Sequence, residues 1–178
     1  MRMTESKTRS ALRLGGGALL LAFAISISLY GGESPTATPP AGGIEAVFET
    51  EGTTWGSETL KYAPPRYVSN EIGKGYEFNC DFSLADPKYP RCYWDAKLAS
   101  PVDLSKAASI VMKVRFSNAE SVKFICFYLK SNGKWHLSKY YDAITEGMNS
   151  IVFQIADYRI EGTANPGGQE SLNNVSEI

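Results

Sequence analysis

Histidine is almost missing from this chain. His136 stands alone, which excludes a metal centre built on several imidazoles. There is no Gly-x-Ser-x-Gly elbow and no Cys-x-x-Cys pair, so the usual marks of a hydrolytic nucleophile and of a redox or zinc motif are lacking. Charge of one sign is lacking too: 18 basic residues stand against 19 acidic ones, and the Lys and Arg are scattered. Nucleic-acid binders carry a basic patch or stripe, so that class is set aside. No stretch shows a convincing helical period, and residues 104–109 support a helical turn and nothing longer.

What is present favours β-structure. Tyrosine, glycine and proline are frequent, and the 178 residues suit one domain with many turns. Residues 1–30 stand apart from that domain: Arg2, Lys7, Arg9 and Arg13 outweigh Glu5, and an apolar run follows over 14–30. The run is shorter than the roughly 20 residues of a membrane span. It reads as a secretory signal, with an uncleaved membrane anchor as the alternative, and places the protein outside the cytoplasm. Residues 31–43, rich in Pro, Gly and Thr, form a linker, and the folded domain runs over 44–178.

Within the domain, residues 44–50 form an expected first strand with Ile44, Ala46 and Phe48 on one face. Pro64 and Pro65 limit the next segment to a short edge strand around 66–68. Residues 75–82 and 91–98 alternate cleanly and are expected to pair as an antiparallel hairpin. Residues 110–116 alternate again, with Ile110, Met112, Val114 and Phe116 inward. Residues 122–129 are apolar on both parities, so a central strand covered on both faces is expected, consecutive with the one before. Asn132-Gly133 marks a tight hairpin into 135–141, Glu146-Gly147 another turn, and Ile151, Phe153 and Ile155 the apolar face of the next strand. Residues 172–178 read as a strand that starts and stops, leaving a neighbour unpaired, as in a fragment lacking its last strand or two. The spacing of strands and turns fits an all-β sandwich.

The order of these features (Phe48-Glu49, Trp55, the Pro-Val-Asp-Leu-Ser turn at 101–105, the strands at 110–129, Asn132-Gly133, the 146–153 segment and Ala156-Asp157-Tyr158-Arg159) resembles the jelly-roll of galactose-binding-like domains. Such units are carbohydrate-binding-module-like appendages of bacterial secreted glycoside hydrolases. Met148 stands where a Trp is frequent in them, and the closing strand is incomplete. The resemblance implies a jelly-roll and a non-catalytic sugar-binding role; the alternative is a structural or protein-interaction β-sandwich at the cell surface. It also sets Glu49 near the place of a structural calcium in some domains of this shape, a cation that carboxylates and carbonyls suit. A monomer is expected, in contact with polysaccharide and touching a membrane only through an uncleaved N-terminus.

In the expected hairpin, Cys80 faces Cys92, so a disulfide between them is anticipated, worth roughly 3 kcal/mol in the chain-entropy model. Two separate buried thiols are the alternative, and Cys126 reads as an inert core thiol. The same register gathers Glu77, Asn79, Asp81, Arg91, Tyr93 and Asp95 on the opposite face, with Lys113 and Arg115 alongside. Asn79, Arg91, Tyr93, Asp95 and Arg115 then make a sugar-binding surface, with Trp55 and Tyr89 as stacking aromatics. A solvated face of cross-strand ion pairs, Asp81 with Arg91 among them, competes with that reading.

Overall fold

The computed structural model describes residues 18–22, 25–29, 44–56, 62–70, 73–88, 90–163 and 169–178. Among the described residues there are twelve strands: β1 (Ala18–Ala22), β2 (Ile25–Leu29), β3 (Trp55–Gly56), β4 (Arg66–Asn70), β5 (Gly73–Asn79), β6 (Asp95–Val102), β7 (Ala107–Phe116), β8 (Tyr128–Ser131), β9 (Lys134–Leu137), β10 (Gly147–Gln154), β11 (Arg159–Ile160) and β12 (Val175–Glu177). One short helix, α1 (Ile44–Glu49), accompanies them. All pairing is antiparallel, in sheets ordered β1-β5-β4, β10-β7-β2 and β11-β9-β8-β12-β6-β3. The all-β expectation holds in its coarser form: the described residues are mostly antiparallel β, with one short helix.

Two strands lie within the expected leader, β1 against β5 and β2 against β7. The linker at 31–43 lies outside the described residues. Among the described residues no helix is long and apolar enough to cross a membrane.

Alternation reads correctly where one face is buried. On β7, Ile110, Met112, Val114 and Phe116 are buried while Lys113 and Arg115 face solvent. Across the ladder, Ile151 and Phe153 of β10 join them in the core. The edge strand near 66–68 is present as β4, flanking β5 only. Asn132 and Gly133 take φ values of 50° and 74°, the positive pair that a type I′ turn requires, and close β8 onto β9.

Four expectations are corrected. Residues 44–50 form a helix instead of a strand: Ile44, Val47 and Phe48, at i, i+3 and i+4, are all buried. No hairpin joins 75–82 to 91–98. β5 ends at Asn79, a short 3₁₀ turn follows at Phe82–Leu84, and β6 begins only at Asp95, in a different sheet. The 122–129 segment is not a central strand: apart from the bridge between Ile125 and Tyr141 it is irregular until β8 begins, and Phe124 is 45% exposed. There Ser138 replaces a ladder partner, its Oγ accepting from the Phe127 amide at 2.9 Å. β7 accordingly pairs with β10 and β2 and not with β8.

The C-terminal segment is the fourth. β12 does not leave a neighbour unpaired but sits between β6 and β8, and Ile178 exchanges backbone hydrogen bonds with Ala96 at 2.8 and 2.9 Å. Leu172, Val175 and Ile178 are buried in one core cluster with side chains from α1, β5, β6, β7, β8 and β10. The core's aromatic end is Trp55, whose ring centroid lies 5.3 Å from Phe48, 5.4 Å from Tyr76 and 4.9 Å from Phe78.

Candidate functional site

The outward face of the six-stranded sheet follows from strand parity. Leu129 and His136 are opposite one another and buried, so Lys130 and Trp135, the next pair, face out together with Tyr128. The Lys130 ammonium lies 5.3 Å from the Trp135 ring centre and 3.0 Å from the Glu177 carboxylate on β12. Tyr128 meets Trp135 edge-on at 6.2 Å. Beyond Glu177 the ladder continues to Lys97 on β6.

The segment leading into β6 extends this surface. The exposed Arg91 guanidinium stands over the Tyr93 ring at 5.4 Å, and it is near enough to Cys126 and Tyr128 to act on both electrostatically. Burial, with Cys126 and Glu161 beside it, pushes the Tyr128 hydroxyl up to about 12, so it remains a neutral donor at any physiological pH. At the far margin Phe124 and Tyr140, 45% and 55% exposed, lie ring to ring at 4.4 Å. On the β6 side an open groove of about 660 Å³ runs between α1, the 50–56 segment and β6, lined among others by Thr50, Thr54, Asp95, Lys97 and Glu177. A side chain on Gly56, opposite Asp95 in the ladder, would meet the Asp95 carboxylate, which would have to swing aside.

Of the residues anticipated for binding, Arg91 and Tyr93 come together and Asp95 lines the adjoining groove. The rest are elsewhere. Asn79 is exposed at the end of β5, in another sheet. Arg115 is exposed on β7, opposite Met148. Trp55 is packed into the aromatic core and is not a loop platform. Tyr89 lies outside the described residues. Glu77 pairs with Arg66 on β4, and Asp81, which has no strand position opposite Arg91, accepts from the Ser83 amide at 3.0 Å. Glu49 is exposed at the end of α1, where its carbonyl accepts from the Tyr67 hydroxyl at 2.9 Å. Among the described residues no cluster of three or more Asp, Glu, His or Cys is placed to hold a metal ion.

Cys80, Cys92 and Cys126 are free thiols, so the structure contains no disulfide. The hairpin register that was to align Cys80 with Cys92 is not formed. Their thiols are nevertheless close enough to perturb each other's ionisation. Cys126 is pushed up to about 11 by burial, as befits an inert thiol.

Tyr128, Lys130, Trp135, Phe124 and Tyr140 are the site residues that the sequence did not disclose. Only the hairpin turn carried a signal: with Asn132-Gly133 fixing the register, Lys130 must face Trp135. No family model matches this chain, and neither the curated proteins nor the solved structures include one with significant similarity to it.

Proposed function

We propose that this is a non-catalytic carbohydrate-binding domain of jelly-roll type, exported by its N-terminal segment, and that its sugar-contacting surface is the outward face carrying Arg91, Tyr93, Tyr128, Lys130 and Trp135. The observation that carries this reading is the set of aromatic rings left on a sheet surface beside charged groups. A sugar offers C–H faces to aromatic rings and vicinal hydroxyls to paired donors, and such a face presents both. Two of the nearby carboxylates are engaged: Glu177 holds Lys130 at 3.0 Å and Asp157 holds Lys139 at 2.7 Å, an arrangement that suits ion pairing better than proton transfer to a glycosidic oxygen.

Affinity electrophoresis against soluble polysaccharides, with a glycan array to find the ligand, tests the proposal. Binding should fall at least about tenfold in Trp135→Ala, as expected from losing about 1.4 kcal/mol or more of stacking, and stay unchanged in Arg115→Ala on the other sheet. Equal binding by Trp135→Ala and the parent would overturn the site. Silence across the array would favour the second reading, a protein-interaction β-sandwich at the cell surface. That reading has one supporting observation: Met148 and Val152 on β10 are 50% and 47% exposed.

A further inference from the structure

We propose that Cys80 and Cys92 form a reversible dithiol–disulfide couple, a thiol-oxidation site whose closure covalently joins two sheets. Cys80 follows the last residue of β5, and Cys92 lies in the segment that leads into β6. Those strands belong to different sheets and do not pair, so no backbone ladder ties them. The side chains are neighbours all the same: Phe78 and Trp94, each two residues from one of the cysteines, meet at 5.0 Å, and the half-buried thiols perturb each other's ionisation. Flanking rings hold the pair in place: Trp94 packs on Phe78 at 5.0 Å and on Tyr62 at 5.5 Å. The Tyr62 hydroxyl donates to the Arg91 carbonyl at 2.7 Å and is also within hydrogen-bonding reach of Cys92.

The two sulfurs have unequal surroundings. The Cys80 thiol beside it favours the Cys92 thiolate and holds its pKa below the ordinary thiol value. The neighbouring Cys92 and its own deeper burial push the ionisation of Cys80 up. Cys92 is therefore the attacking thiol and Cys80 the resolving one. With a low-molecular-weight disulfide RSSR as oxidant, the Cys92 thiolate bonds to one sulfur and expels RS⁻, which takes up a proton. Cys80 then loses its proton, its sulfur bonds to the Cys92 sulfur, and the second RS⁻ leaves and is protonated. The protein dithiol gives up two electrons and two protons, and one RSSR becomes two RSH. Arg91 and Tyr93 flank Cys92, so closing the bond fixes the stretch of chain that carries them.

The full chain, first reduced, is incubated with oxidised glutathione, quenched by alkylation under denaturing conditions and weighed intact. The proposal expects one alkylated cysteine, a peptide joining Cys80 to Cys92, and a thermal midpoint about 6 to 12 °C above that of the reduced protein. Cys80→Ser should stop at a glutathione adduct on Cys92, Cys92→Ser should form no adduct at Cys80, and Cys126→Ser should close like the parent. Three alkylatable thiols after oxidation, or a bridge containing Cys126, would overturn it. Because Cys126→Ser keeps the whole couple, a poorly folded Cys80 or Cys92 variant leaves the test intact.

Discussion

Asn149 shows how much one polar side chain decides here. It is 7% exposed, and its Oδ1 accepts from both the amide and the hydroxyl of Thr145 at 3.1 Å. Its Nδ2 donates to the carbonyls of Thr145 and Gly147 at 2.7 and 2.9 Å. The side chain thus satisfies the turn that leads into β10, whose Gly147 takes a φ of 85°. Asn149→Ala removes the side-chain hydrogen bonds that hold this part-buried turn, at a cost of about 1 kcal/mol. Urea denaturation of the variant should show a lower midpoint at unchanged slope, and an unaltered midpoint would mean that the turn is held by other contacts. His136 plays a comparable part. Its Nδ1 faces the Lys134 carbonyl at 3.1 Å and so must carry the proton, which leaves Nε2 to accept from the Ser171 hydroxyl at 3.0 Å. The lone histidine is a buried tie between β9 and the segment before β12.

At the scale of elements, β12 is short but held from both sides. The Ile178–Ala96 exchange, the Lys130–Glu177 ion pair, the donation from the Asn174 amide to Ser131 Oγ at 3.3 Å and the burial of Val175 all converge on it. Amides at 175–178 should therefore exchange with solvent as slowly as those of β8, as native-state hydrogen exchange can measure; fast exchange at 175–178 alone would show the strand to be loosely docked. The sequence announced that a strand was here but not where it inserts, because the partners of a central strand lie far away along the chain. Period, by contrast, is local. It exposed β5, β7 and β10, and it misled at 44–50, 91–94 and 122–127, which do not form the strands it suggested. Residues 44–50 match a period of two through Ala46 as well as the helical period through Val47, and burial of Val47 decides between them. The site was half legible for the same reason: Arg91 and Tyr93 lie two residues apart on one parity, whereas Tyr128 was hidden in a segment apolar on both parities. Its outward position depends on where β8 begins.

For the molecule as a whole, the tyrosines set an alkaline limit on stability. Burial, then the neighbouring Cys92, pushes Tyr62 up to about 12; burial, then Cys126 and Glu161, does the same for Tyr128. Tyr158, 3% exposed, is raised well above its ordinary value by burial. In the unfolded chain tyrosines ionise near 10. Between about 10 and about 12 the unfolded state has lost protons that the fold retains, so the contribution of these groups is complete below pH 10 and is lost as pH rises toward 12. The urea midpoint should fall across that window, with tyrosinate absorbance of the folded protein lagging behind that of the unfolded protein. Tyr158→Phe separates this effect from other alkaline damage. The Tyr158 hydroxyl is buried without a hydrogen-bond partner among the described residues, so removing it should leave stability at neutral pH unchanged or slightly higher. The same variant should lose less stability between pH 10 and 12. A fall as steep as that of the parent would mean that Tyr158 does not contribute to the alkaline loss, and that its ring is more open to water than its place in the core indicates.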